Sequence, residues 1–164
     1  MRKSLPLLIA VAAALVLSGV PAAAQSTADL TVSAAVNARA SLTLSDAGVA
    51  FADADPDVTA NITGAPVLTV TAKSRTSNGN AVTLTVQAAT ALTSGGGDTI
   101  AASNVTWAAT GDLSAGTLDT AAVTIGNWSN SGSRSGNMTF SLVNSWAYAT
   151  GNYSTTVTYT LSAP

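Results

Sequence analysis

The sequence predicts a single all-β domain, an antiparallel β-sandwich, behind an N-terminal signal peptide. Short segments of alternating apolar and polar residues recur along the chain, and turn-forming residues separate them at intervals of roughly ten positions, a spacing typical of sandwiches. The chain has 164 residues, which suffice for one ordinary domain but not for two. Its richness in Val, Leu and Thr excludes a disordered chain.

The N-terminal stretch has the three parts of a secretory signal peptide. Two basic residues stand near the N-terminus, and an apolar run extends from Leu5 to Leu17. Small residues at the −3 and −1 positions, Ala22 and Ala24, predict cleavage before Gln25. A transmembrane anchor is the competing interpretation, but the apolar run is shorter than the roughly 20 residues that a helical span needs.

The chain therefore divides into a signal peptide, residues 1–24, and a β-sandwich domain, residues 25–164. We expect the domain to be secreted, periplasmic or held at the cell surface, with no membrane insertion after cleavage. It carries four basic side chains and eight aspartates, so its net charge is −4. No basic stripe is present that would displace counterions from a phosphate backbone, which excludes nucleic acid as a partner.

The domain lacks the residues on which many enzymatic sites depend. The chain contains no His and no Cys, so a Ser-His-Asp triad, a Cys nucleophile and a thiolate metal site are all excluded. The segment Gly132–Gly136 has the outline of a nucleophile elbow, but Arg134 stands where the serine belongs. We predict no enzymatic activity, no cofactor, and no catalytic, cofactor-binding or metal-binding residue.

The first predicted strand is long. From Leu30 to Leu44 the even positions are almost all apolar, while the odd positions are mostly polar. This period of two predicts one long strand over residues 28–44, or two collinear strands with a bend. A helix is the alternative because Ala is frequent, but the period of two excludes it.

The remaining strands follow in order, after a short apolar piece at residues 48–51. Asn78-Gly79 is a strong hairpin signal, because both central positions of a type I′ turn need positive φ. In the last strand the residues from Tyr153 to Leu161 put tyrosine, valine and leucine on one parity, which we predict to close the core. The predicted strands are residues 67–72, 81–89, 104–108, 121–126, 137–143 and 153–161.

An acidic loop is one candidate binding site. Asp53, Asp55 and Asp57 alternate in sequence as the carboxylates of a Ca²⁺ loop do, because a hard cation takes several oxygen ligands. Pro56 stiffens the loop, however, and no glutamate closes it, so a solvated acidic turn is the favoured interpretation. A small Ca²⁺-stabilised extracellular domain is an alternative function.

Aromatic residues outside the predicted strands form a second candidate. Trp128, Trp146 and Tyr148 lie in predicted loops, where exposed rings stack on sugars while their polar atoms stay hydrated. The competing interpretation is that these rings close one end of the sandwich. A carbohydrate-binding module with glycans as its partners is therefore a second alternative function.

The closing segment carries a family resemblance. Tyr148-x-x-Gly151-x-Tyr153, followed by the strand TTVTYTL, resembles the end of bacterial secreted pilin-like domains, including those of the spore coat protein U type. The resemblance implies an immunoglobulin-like sandwich and a non-enzymatic structural or adhesive role as a subunit of surface fibres or coats, with copies of itself or other subunits as partners. It transfers no catalytic residue. The Tyr-Gly-Tyr turn is predicted to fix the entry of the last strand.

The resemblance gives the start of the domain a second interpretation. Subunits of this kind assemble when an alternating extension of one fills a groove in the next. The segment Gln25–Val36 has the required alternation. The other interpretation, which the sequence favours, is that this segment pairs within its own sheet, because an intact C-terminal strand leaves no obvious gap.

Overall fold

A computed structural model describes residues 24–164. The predicted signal peptide lies outside the described residues, apart from its last residue, Ala24. Residues 24–38 carry no regular secondary structure and are exposed. Within the part of the chain that the structure describes, no helix has the length and hydropathy that a membrane crossing requires.

The described chain is almost entirely β-structure. It has a single turn of 3₁₀ helix at Ala102–Asn104. The strands are β1 (Arg39–Leu44), β2 (Ala50–Phe51), β3 (Asn61–Ala65), β4 (Leu68–Arg75), β5 (Ala81–Ala88), β6 (Leu92–Ser94), β7 (Thr99–Ile100), β8 (Val105–Ala109), β9 (Gly116–Thr117), β10 (Val123–Ser129), β11 (Gly132–Val143), β12 (Tyr153–Ser154) and β13 (Val157–Ser162).

The first sheet is built on β11. β4 and β3 lie one after the other along one edge of β11, and β8 pairs with the opposite edge and carries β9. β1 and β2 in turn pair with the outer side of β4 and β3. Pro66 separates β3 from β4, because a proline has no N–H to donate to the ladder. Every pairing is antiparallel.

The second sheet is built on β5. Its order is β10-β5-β13, and the short strands β12, β6 and β7 form a separate small sheet in the order β12-β6-β7. β6 follows β5 and pairs with β12 as β5 pairs with β13. The antiparallel sandwich predicted from the spacing of alternating segments is thereby confirmed.

The core lies between the inner faces of the two sheets. Alternate residues of β4, β5 and β11 are buried, as the period of two predicts. Fully burying a leucine, valine or phenylalanine contributes roughly 1.5–3 kcal/mol, so these positions supply most of the stability. The principal core residues are Leu68, Val70, Ala72, Leu84, Val86, Trp107, Ile125, Met138, Phe140 and Leu142.

The predicted hairpin at Asn78-Gly79 is wrong, although the turn is present. Gly79 has a positive φ of 84°, but β4 and β5 belong to different sheets and do not pair. The connection crosses the sandwich, and Asn130 holds it: its side-chain Oδ1 accepts a hydrogen bond from Gly79 N at 2.6 Å. A turn motif determines where the chain reverses, whereas burial of both strands' inner faces determines which sheet each strand joins.

The long first strand is also wrong in its extent. Only Arg39–Leu44 is paired, and residues 28–38 have no strand partner among the described residues. Alternation makes a segment suitable for a sheet, but a strand also needs a free edge to pair with. β4 supplies such an edge for six residues and then ends at Arg75.

We predict that Gly136 cannot be replaced by alanine without loss of stability. A Cβ at this position would overlap the carbonyl oxygen of Thr110 and come within 2.8 Å of Leu113 Cγ. Gly136→Ala should lower the free energy of unfolding by about 2 kcal/mol, as overpacking of a core does. Urea denaturation followed by fluorescence measures the change.

Gly95→Ala is the matched control, because a Cβ at Gly95 would meet nothing within 4 Å. Its free energy of unfolding should stay within about 0.5 kcal/mol of the parent. Equal stabilities for the two variants would show that β11 and the β8–β9 connection are not in the close contact described.

Candidate functional site

The outer edge of β13 is free. β13 pairs with β5 on one side, and among residues 24–164 no strand pairs with its other side. Val157, Tyr159 and Leu161 point toward the core yet are only half-buried, unlike the fully buried Leu84 and Val86 beside them on β5. The core is therefore only partly covered along β13.

A groove opens next to this edge. β1 lies close to β13, and a groove of about 1430 Å³ opens beside β13, lined by residues from Leu44 onward and by the chain around β12 and β13. One wall is formed by residues 44–56 and the other by residues 144–159. The floor consists of core side chains: Ile62, Leu68, Leu92, Ile100, Val105, Leu118, Phe140 and Leu142. Apolar side chains of the core therefore form the bottom of this seam between its two walls.

The charge of the groove is one-sided. Three carboxylates line it, those of Asp46, Asp53 and Asp55, and none of its lining residues is a lysine or an arginine. All three aspartates are exposed. An occupant of the groove would meet an apolar floor and a negative rim.

Hydrogen bonds tie the two walls together at the far end. Trp146 Nε1 donates to Asp57 Oδ1 at 3.1 Å. Asn144 Nδ2 donates to the carbonyl oxygens of Ala54 and Thr59, at 2.9 and 3.0 Å. These contacts hold the acidic loop against the connection that follows β11, so they limit the groove on that side.

Two tyrosines shape the second wall. Tyr153 Oη donates to the carbonyl oxygen of Ala149 at 2.7 Å, four residues upstream, and so fixes the turn that leads into β12. This is the role predicted for the Tyr-Gly-Tyr turn. Asn104 Nδ2 donates to Tyr148 Oη at 3.0 Å and fastens the same connection to the 3₁₀ turn.

The predicted carboxylate cluster does not converge on a common point. Asp55 Oδ1 accepts a hydrogen bond from Asp57 N at 2.9 Å, and Asp57 Oδ1 is taken by Trp146. Within the described range 24–164, no group of three His, Cys, Asp or Glu side chains is arranged to hold a metal ion. The carboxylates of Asp55 and Asp57 therefore accept hydrogen bonds from two different groups, a backbone N–H and an indole.

The three candidate aromatic residues do not share a surface. Trp128 lies in β10, not in a loop, is half-buried, and its Nε1 donates to Ser74 Oγ at 3.4 Å. Tyr148 is half-buried beside the groove. Trp146 is 71% exposed at the groove mouth. A flat sugar-binding platform made of all three rings is not formed.

The segment before β1 exposes its large apolar side chains. Leu30, Val32 and Val36 are 87%, 86% and 70% exposed, although they lie on the apolar parity of an alternating segment.

The groove itself could not be predicted from the sequence, because its walls are some 100 residues apart along the chain. The sequence did show one relevant feature, an alternating run over residues 28–44, of which only Arg39–Leu44 pairs with β4.

A comparison of the chain with models of known protein families and with curated proteins found no match.

We predict that Tyr159 makes the protein alkali-sensitive. The ring lies between the groove and Met138, and its burial raises the pKa of the phenol from 10.0 to about 12. Since the folded protein holds the neutral form, this contribution to stability is complete below pH 10 and is lost as the pH rises from about 10 to about 12. Tyr159→Phe should flatten the fall of the urea midpoint between pH 9 and 11.5.

Tyr153→Phe is the comparison variant. Desolvation and the nearby Asp98 carboxylate raise its phenol pKa as well, but its hydroxyl bonds to Ala149 in an exposed position, so its removal should flatten the profile less. Identical pH profiles for the parent and Tyr159→Phe would contradict the burial of this phenol.

Proposed function

We propose that this chain is an exported, non-enzymatic structural subunit that assembles with copies of itself by strand addition. In this arrangement residues 28–36 of one copy occupy the groove of the next and pair with the free edge of β12 and β13. The observation that supports it best is the groove, which opens to the apolar core beside an unpaired strand edge. Main-chain hydrogen bonds along such an edge give affinity, and pockets for alternate side chains give specificity.

The segment and the groove match in length and pattern. Leu30, Val32, Ala34 and Val36 share one parity, so their side chains would all enter the groove, while Asp29, Thr31 and Ser33 would face solvent. From Leu30 to Val36 an extended chain spans about 20 Å. The facing wall from Tyr153 to Tyr159 contains the same number of residues and is extended over most of that length.

The strand order leaves room for a further strand. The second sheet has three strands in the order β10-β5-β13, and among the described residues the outer edge of β13 has no partner. Variable-type immunoglobulin domains extend their three-stranded sheet by further strands. An added strand from another copy would extend the sheet here in a similar way.

A second copy is a better donor than the chain itself. The segment is continuous with β1, which begins at Arg39. To enter the groove of its own chain, the segment would have to reverse direction within the two residues between Val36 and Arg39. Insertion into a neighbouring copy has no such obstacle. Three buried aliphatic side chains contribute roughly 1.5–3 kcal/mol each, against the entropic cost of association.

We predict that assembly requires the segment that precedes β1. The chain of residues 25–164 should form oligomers whose size grows with concentration, whereas the chain that begins at residue 37 should stay monomeric. A synthetic peptide of residues 25–38 should bind this shortened chain and shift the emission of Trp146 to shorter wavelength, because the indole lies at the groove mouth. Size-exclusion chromatography and fluorescence titration measure the two effects.

Two peptide variants separate strand addition from non-specific adhesion. Val32→Asp places a charge on the parity that enters the groove and should weaken binding by at least about tenfold. Thr31→Asp places the same charge one residue earlier, on the solvent parity, and should bind like the parent. Equal binding of both variants, or a chain of residues 25–164 that stays monomeric at high concentration, would contradict the proposal.

A further inference from the structure

The basic residues of the domain are concentrated at one end of the first sheet. Arg39 on β1 lies directly opposite Arg75 on β4, and Lys73 lies two residues along β4 on the same outer face. All three side chains are exposed. We call Arg39, Lys73 and Arg75 the basic cluster.

Among the described residues, no acidic side chain lies opposite the basic cluster on a paired strand. The cross-strand neighbours of Lys73 are Ser41 and Ser133, and that of Arg75 on β1 is Arg39. Like charges directly opposite each other on adjacent strands are destabilising. Residues 25–164, with four basic and eight acidic side chains, thus carry a positive patch that the neighbouring strands leave unneutralised.

The carboxylates of the groove lie further along the same edge of the molecule. We call Asp46, Asp53 and Asp55 the acidic rim. Asp46 follows the end of β1, and the other two follow β2, which continues beyond β1 along the edge of the first sheet. β1 begins at Arg39, so the acidic rim and the basic cluster are at opposite ends of this strand line.

We propose, resting on the strand-addition function above, that the basic cluster of one copy docks on the acidic rim of the next. Connectivity carries this inference. The segment that would fill the groove ends at Val36, and Arg39 follows three residues later, which is about 10 Å of extended chain. A copy whose segment occupies a neighbour's groove therefore brings its own basic cluster to the rim of that groove.

The two contacts have different physical roles. Insertion of the apolar segment supplies most of the affinity through burial. The charged contact lies at the surface, where each ion pair is worth little, but opposite potentials steer the encounter and set the relative orientation of the two copies. Such steering is screened beyond a Debye length, about 8 Å at physiological ionic strength.

The test is the rate of oligomer formation by residues 25–164, followed by light scattering at 50 and 500 mM NaCl. The parent should assemble at least about tenfold more slowly at the higher salt concentration. Arg39→Glu with Arg75→Glu should slow assembly by about tenfold at 50 mM NaCl. These substitutions keep like charges opposite each other, so the melting temperature should change little.

Charge exchange provides the rescue. Adding Asp46→Lys and Asp53→Lys to the Arg39→Glu/Arg75→Glu chain should restore the low-salt rate to within about threefold of the parent. Asp112→Asn with Asp119→Asn is the matched control for Asp46→Asn with Asp53→Asn, because it removes the same charge from residues that do not line the groove. Asp46→Asn with Asp53→Asn should slow assembly, whereas Asp112→Asn with Asp119→Asn should not.

The outcome separates this inference from the function on which it rests. The peptide of residues 25–38 contains no basic residue, so its binding tests insertion alone. Peptide binding together with wild-type rates and salt dependence in the Arg39→Glu/Arg75→Glu chain would overturn the charged contact and leave strand addition standing. Folded variants that slow assembly but are not rescued by the exchange would also overturn it. Absence of peptide binding would remove both.

Discussion

The structure depends on β5, the strand of the second sheet that has partners along both edges. Its inward residues Val82, Leu84 and Val86 have no exposed surface, and Leu84 and Val86 belong to the same core cluster as the buried residues of β4 and β11. β10 and β13 are each held by β5 alone, so the second sheet extends by one strand to either side. This narrow sheet opposes a wider one built on β11. The difference in width leaves part of the core uncovered along the flank of β13.

The alternation of residues predicted most of this architecture. The segments predicted as strands overlap β4, β5, β8, β10, β11 and β13, because burial of one face imposes a period of two on the sequence. The first part of β11, residues 132–136, was not predicted as a strand, because its serines and glycines are typical of a turn. The pairing of the strands was harder to predict from the sequence. Asn78-Gly79 indicated a reversal of the chain but not that the reversal crosses the core, and the run before Arg39 indicated a strand but not that β4 would end before it.

The groove could not be predicted either, because it too depends on which strands come together. A groove is a property of two edges that do not meet, and the edges here come from residues 44–56 and 144–159. Trp146 was identifiable as a surface aromatic, yet its bond to Asp57 joins positions nearly ninety residues apart. The sequence showed the acidic loop and the aromatic turn separately. Only the fold shows that they are opposite walls of one seam.

The antiparallel pairing of β1 with β4 has a mechanical consequence. The chain enters β1 at Arg39, so tension applied through the preceding residues acts along the strand axis. Six residue pairs, from Arg39–Arg75 to Leu44–Val70, then bear the load together, and their hydrogen bonds are strained in shear. A strand loaded across its axis would instead lose its bonds one after another. The first strand is thus oriented to transmit force from its N-terminal extension into the body of the sandwich without peeling from the sheet.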